Sequence, residues 1–534
     1  MNNTWVLRGA TLLAVLALTA CGGGGGGGGG GGFVPLPVVT NPAPDSGAAV
    51  VTVSGVATYD AVPNATGALA YDSLTAKPVR GAVVEVLNST AAVVATTATD
   101  GNGAYSVSVP ANTQVTLRVK AQLLQGGSGA NWDVSVRDNT QSDALYVIDS
   151  PAFSSGAAAS TRDLRATSGW GGSSYTGQRI AAPFAILDTL YTAMQKVLAV
   201  APGTTFPALK VFWSINNVPA GGTPAIGQIG TTSFVNSSAN GLAIYVLGKE
   251  NVDTDEYDAS VIAHEWGHYY QSAFSRDDSP GGDHAAGQRV DRRLAFSEGW
   301  GNAWSGIALA RSNYTDSTGA GQAQGLNLNL ATGPATGPGW FRESSIQAIF
   351  WNLNQQLGFQ PIHAAMTGAF RTSVAVTSIH SFAAGFNAAS PGSASALNAL
   401  LAAQSISAAP NDPFGTAETN NGGLPSALPM YATAAIGGTT NACVSNSAGP
   451  GNKLGSFAYL RVSAPTPGNR QIVVSGPAGS DPDFEVYSGR LLASSDGLGV
   501  SESASVGLLA GDNVVVVNDY NNSGASTCFT VTIN

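Results

Sequence analysis

The sequence predicts a multi-domain chain: an N-terminal β-sandwich, a central α+β domain and a C-terminal β-sandwich. Three observations lead there. At 534 residues the chain exceeds the usual domain size of about 100–150 residues. Its hydrophobic content of 44% can build cores, while charged residues make up only 10% against about 25% in an average globular protein. The difference is made up by Gly, Ser, Thr, Asn and Ala, which suit short strands and polar turns. The periodicity also changes along the chain, with alternating β-branched runs towards both ends and 3.6-residue spacing between them. The 23 basic and 33 acidic side chains leave a net charge of −10, so there is no basic footprint for nucleic acid.

Residues 48–150 read as all β. Val50-Val51-Thr52-Val53-Ser54, Gly81 to Val86 and Val115 to Val119 are short β-branched runs bounded by Gly, Pro, Asn and Asp. Lys77-Pro78-Val79-Arg80-Gly81-Ala82 and the turn Asp100-Gly101-Asn102-Gly103-Ala104-Tyr105 together resemble the carboxypeptidase regulatory-like, transthyretin-like sandwich. The Asp-Gly-Asn-Gly string lacks the twelfth-position Glu of an EF-hand. It is therefore read as a hairpin turn; calcium is compatible with the chain but not supported. A Ser/Gly/Ala-rich stretch over 151–177 reads as a linker.

Residues 178–420 form the central domain. Phe184, Leu187, Leu190, Met194 and Val197 predict a helix over 183–200. Strands follow over 209–213 and 242–247, then helices over 258–274, 294–311, 344–357 and 361–371; strands followed by helices indicate an α+β domain. Over 435–534 the pattern returns to β. Asp481-Pro482-Asp483-Phe484-Glu485-Val486-Tyr487, Gly511 to Val517 and Cys528 to Ile533 resemble the pre-peptidase C-terminal sandwich of secreted peptidases.

The N-terminus reads as an address. Arg8 precedes an uncharged run that ends in Leu18-Thr19-Ala20-Cys21, too short to span a bilayer but of signal-peptide length. Those four residues resemble a bacterial lipobox. The resemblance implies a lipoprotein signal over 1–21 with cleavage before Cys21, lipidation of Cys21 and a membrane anchor. With Gly22 following, it implies an outer-membrane lipoprotein of a Gram-negative bacterium, on the periplasmic or the cell-surface face. Eleven glycines from Gly22 to Gly32 open a tether over 22–47, since glycine has the most backbone entropy to lose on ordering. With Cys21 lipidated, Cys443 and Cys528 remain as an even pair, and a bridge between them suits an exported chain.

The chemistry lies in Val261-Ile262-Ala263-His264-Glu265-Trp266-Gly267-His268, an HExxH string. On a helix, His264 and His268 leave one face with Cβ atoms about 5–6 Å apart, so two nitrogens can meet one zinc at ~2.0–2.1 Å each. Glu265 lies roughly 100° round the helix, beside that position. Ile262, Trp266, Tyr269 and Ala273 give the segment an apolar helical stripe, and Asp255, Glu256 and Asp258 place negative charge at its N-terminal end. A catalytic zinc needs a third protein ligand and an open corner. Glu298, thirty residues beyond His268 in Ser297-Glu298-Gly299-Trp300-Gly301-Asn302, is the candidate.

Here the chain resembles the gluzincin metallopeptidases, thermolysin-like and especially fungalysin-like enzymes. That resemblance implies a zincin fold for the central domain, one Zn2+ on His264, His268 and Glu298, and Glu265 as general base. It implies a zinc endopeptidase acting on protein or peptide substrates. These families commonly carry an Asp four residues after the ligand Glu, where this chain has Asn302. Either Asn302 orients the imidazole or another acid such as Asp258 does. The oxyanion stabiliser is open among His363, His380, Arg342 and Tyr269, while His284, between the two ligand helices, reads as solvated rather than cleft-lining. The chain has five histidines, all between 264 and 380. The rival reading is a catalytically weak or inactive zincin serving as a surface-anchored binding or adhesion protein. A third makes 48–150 an inhibitory prosegment.

Overall fold

The structure, a computed structural model, describes residues 49–522 and 524–534. The signal segment 1–21 with Cys21, and the tether over 22–47, lie outside the described residues. The chain divides into two compact units. One runs to Ala263 and includes Thr315–Asn327; the other comprises His264–Tyr314 and Leu328–Asn534. The architecture is β-rich and multi-domain with helical segments, but the division differs from the expected three parts.

In the first unit, the strand Val50–Ala61 buries alternate side chains, as its β-branched, period-2 sequence requires. It pairs antiparallel with Ala104–Pro110 and Thr75–Pro78 and parallel with Leu164–Ala166 and Ser160–Thr161. Residues 151–177 therefore do not form a plain linker. Their strands are two or three residues long, too short for periodicity to register. A second sheet runs in the order 233–237, 241–246, 209–213, 132–138, 114–125, 82–88 and 93–98. Leu209–Trp213 lies between Trp132–Asp138 and Gly241–Val246, parallel to both. The expected boundary near 178 thus falls inside one sheet, since period-2 patterning marks a strand but not the neighbour it joins. Parallel neighbours need a long crossover, and helix α1 (Ala181–Leu198) lies within that connection. It buries Phe184, Leu187, Leu190, Met194 and Val197 and is tied to the sheets through Asp188, which accepts from Tyr59 Oη at 2.8 Å and pairs with Arg80. Asp100 accepts from the amides of Asn102 and Ala104 at 2.8 and 2.9 Å, closing a hairpin turn.

The helix α2 (Ala259–Phe274) enters the second unit at His264. There follow α3 (Arg292–Leu309), α4 (Glu343–Leu357), α5 (Phe359–Thr367), α6 (Ile379–Ala389) and α7 (Ala394–Ala403). The C-terminal strands form two sheets, ordered 432–434, 457–464, 511–519, 482–487, 491–495 and 438–444, 527–533, 468–475, 501–508. Their inward residues, among them Leu460, Phe484, Val515, Val474, Phe529 and Val531, share one core, which makes the pair a sandwich. Cys443 and Cys528 face each other in register and form the disulfide. The sandwich is not a free-standing domain over 435–534. Val514 and Val516 turn to its outer face and pack with Ala375, Val376 and Phe414. A strand covered on both faces reads as an unbroken apolar run, which is what Val514 to Val517 are. Among the described residues no helix is long and apolar enough to cross a membrane.

Candidate metal centre

Two glycines let α2 and α3 cross closely. A Cβ on Gly267 would stand 3.1 Å from Gly301 Cα, and one on Gly301 would stand 2.8 Å from His264 Cε1 and 2.9 Å from its Nε2. The first is a tight contact, and the two at Gly301 are closer than real Cβ atoms tolerate. Trp300 Nε1 donates to the Gly267 carbonyl at 3.0 Å, and Trp266 stacks on Trp304 at 5.3 Å. The aromatic residues around the motif are packing, and they bring the His264/His268 face of one helix against Glu298 of the other.

The Nε2 atoms of His264 and His268 are 3.0 Å apart. Glu298 Oε2 lies 3.2 Å from the first and 3.6 Å from the second. Three ligands on a tetrahedral zinc with bonds of ~2.0–2.1 Å would stand about 3.3 Å from one another. The donor set therefore fits such an ion. His264 Nδ1 donates to Asn302 Oδ1 at 3.0 Å. His268 Nδ1 faces Ser297 Oγ at 3.1 Å, while that hydroxyl donates onward to Gln271 Oε1 at 3.2 Å or Asp277 Oδ2 at 3.4 Å. With both Nδ1 protons committed in this way, the two Nε2 lone pairs point at each other, and a cation between them resolves the repulsion.

The electrostatics show a demand for positive charge at this position. Burial by itself would lower the His268 pKa, but the Glu298 carboxylate overrides it and raises it to about 9. Burial would raise Glu298, yet His284 and His268 hold it well below the usual carboxylate range. Burial pushes Asp277 up to about 6 against the opposing pull of His268. His264, Glu265, His268 and Glu298 are each only 1% exposed.

Of the alternatives for orienting the histidines, Asn302 holds His264. The Asp258 carboxylate is taken by Asn64 and by the amide and hydroxyl of Ser317, so it does not serve that role. Two oxyanion candidates are committed elsewhere: His380 Nε2 pairs with Glu418 at 2.9 Å, and His363 Nδ1 faces Tyr270 Oη at 2.8 Å. Tyr269 is buried against Trp266 and Phe274. Arg342 donates to the carbonyls of Gly287 and Gly337 and lines a cavity of about 420 Å³ with Glu343, Gln347 and Asn329. His284 is not solvated. Its side chain is 1% exposed, with Nδ1 2.9 Å from Glu343 and Nε2 3.4 Å from Glu298.

Ser297, Gln271, Asp277 and Glu343 escaped the sequence reading. Only Ser297, adjacent to Glu298, had a local signal. The first unit holds a further acidic grouping, Asp253, Asp255 and Asp316, with one oxygen of each within 4.8 Å of the others.

No protein-family model matches the chain, and no curated protein does. Among solved structures it is similar to the pre-peptidase C-terminal domain of collagenase from Bacillus anthracis, at 11% identity over 20% of this chain and 94% of that one, with a TM-score of 0.17. It is also similar to PliG, a periplasmic inhibitor of g-type lysozyme from Aeromonas hydrophila, at 11% identity over 20% and 97% of the two chains, with a TM-score of 0.14. A 9R-lipoxygenase from Cyanothece PCC8801 follows at 10% identity over 29% and 24%, with a TM-score of 0.13. At such scores the functional reading rests on the chain's own residues.

Proposed function

We propose that this chain is a zinc-dependent endopeptidase of the gluzincin type, exported and held at the outer membrane through Cys21, and acting on extracellular or periplasmic proteins. One observation supports it above the rest. Two imidazole nitrogens whose ring partners leave them as lone pairs converge at 3.0 Å, with a buried carboxylate oxygen within 3.6 Å of both. A zinc ion held by His264, His268 and Glu298 would supply Lewis acidity towards a water and a peptide carbonyl. Glu265 takes the proton of the attacking water and returns it to the leaving nitrogen, the general-base role its place beside His264 allows. Asn302 and the Ser297 hydroxyl fix the two ring orientations. On this reading helices α2 and α3 carry the peptidase centre, and the C-terminal strands are a pre-peptidase C-terminal-like sandwich packed with the helical segments.

The test is Glu265→Gln. This variant should hold one zinc per chain by elemental analysis while casein hydrolysis falls by at least a hundredfold, within the range general-base catalysis contributes. Undiminished hydrolysis refutes the role of Glu265. Two observations favour the rival reading of a weak or inactive zincin that binds at the surface: the site residues are almost wholly buried, and the partner of His264 is an amide rather than a carboxylate. A wild-type protein that holds zinc yet shows no chelator-sensitive casein hydrolysis would establish that alternative.

A further inference from the structure

We infer that His284, held by Glu343, is a positioning residue that fixes which oxygen of Glu298 faces the metal; this rests on the zinc-site reading above. The two oxygens of Glu298 are divided. Oε2 is the one near both histidine Nε2 atoms, and Oε1 faces His284 Nε2 at 3.4 Å. That separation is a few tenths of an ångström beyond an ordinary N–H···O bond and within ion-pair reach. His284 Nε2 is buried with no other hydrogen-bond partner, so Glu298 is the acceptor within its reach. The opposite nitrogen, Nδ1, donates to Glu343 Oε2 at 2.9 Å. With Nδ1 on Glu343 and Nε2 towards Glu298, the buried ring is a spacer linking the two carboxylates.

The loop that carries His284 is anchored. Asn452 Nδ2 donates to the Gly281 carbonyl at 2.6 Å, and Lys453 Nζ donates to the Asp283 carbonyl at 2.5 Å. Glu343 opens α4, which packs against α3 so tightly that a Cβ on Gly299 would stand 2.4 Å from Ile346 Cβ. All three members of the chain Glu343–His284–Glu298 are thus fixed by the backbone. A buried carboxylate free to rotate could offer a metal either oxygen or both. With Oε1 engaged by His284, it presents Oε2 alone and leaves a coordination position for water and substrate.

The experiment measures metal affinity rather than turnover. Zinc binding to the full-length protein is read by competition with a chromogenic chelator, and the ligand geometry by the visible spectrum of the Co2+-substituted protein. His284→Ala and the isosteric Glu343→Gln should each weaken zinc binding by ten- to a hundredfold, the effect expected of partners that orient ligands. Both should alter the cobalt bands while leaving the far-UV circular dichroism unchanged. Glu343→Gln keeps the side-chain volume, so it remains informative if His284→Ala does not fold. Wild-type affinity and a wild-type cobalt spectrum in the folded variants overturn the inference and leave the zinc reading standing. A wild-type protein that takes up no zinc or cobalt overturns both.

Discussion

At the scale of single residues, the site depends on an absent side chain. Gly301 is the surface against which the His264 ring lies, with three ring atoms within 3.0 Å of where its Cβ would be. Gly301→Ala leaves α3 helical, since alanine is the better helix former, but pushes the ring off its position. Zinc affinity should fall by at least tenfold, and overpacking should lower stability by about 1–3 kcal/mol; chelator competition and chemical denaturation measure the two. Asn302 gives a prediction of the opposite sign. Asn302→Asp supplies His264 with a charged acceptor, raising the basicity of the ligand and tightening zinc binding by up to tenfold. Unchanged affinity would mean that the amide already does all that the position can do. The sequence was informative where chemistry is local: His264, Glu265 and His268 lie within five residues, and Glu298 follows on the next helix. It was silent on His284 and Glu343, which meet across 59 positions and have no motif to join them. It also misjudged His284 as solvated, because a lone His among glycines gives no sign that Glu298 and Glu343 face its ring.

At the scale of elements, the start of α3 is a clamp. Asp291 caps the helix by accepting from the Arg293 amide at 3.1 Å, and its other oxygen accepts from Tyr459 Oη at 2.5 Å. Arg293 reaches Glu485 at 2.8 Å, and the Arg292 guanidinium lies 3.9 Å from the Tyr459 ring centroid. The helix that carries Glu298 is therefore oriented by strands of the C-terminal sandwich. Asp291→Ala removes the cap and leaves the buried Tyr459 hydroxyl and Arg293 Nε without their acceptor. It should cost about 2–4 kcal/mol, the sum of a lost cap and an unmet buried donor, with zinc affinity falling in parallel. A denaturation midpoint equal to that of wild type would contradict the clamp. The helices themselves were legible: the predicted start at 294 and the observed start at Arg292 differ by less than a turn, because an apolar stripe specifies a helix well and its cap poorly. The strands Ser160–Thr161 and Leu164–Ala166 were not legible, because their partners are distant in sequence.

At the scale of the whole molecule, the acidic grouping of the first unit makes stability depend on pH. Burial first, and then Asp258, raise Asp253 to about 7; burial and then Asp253 raise Asp316 to about 7. In the unfolded chain both lose their protons near pH ~4. Between pH ~4 and 7 the folded form therefore holds more protons than the unfolded one, and stability falls as pH rises through that window. Thermal melting in EDTA from pH 4 to 8 should show this decline, and Asp253→Asn with Asp316→Asn should flatten it. Superimposable profiles would rule out the assignment. The shared sheet has a consequence for maturation. Leu209–Trp213 takes half of its ladder from Trp132–Asp138, so releasing the residues before 178 would bare a row of unpaired amides and carbonyls along an apolar edge. A segment woven in like this is a permanent part of the body. Activation by discarding it, as an inhibitory leader would require, runs against the weave.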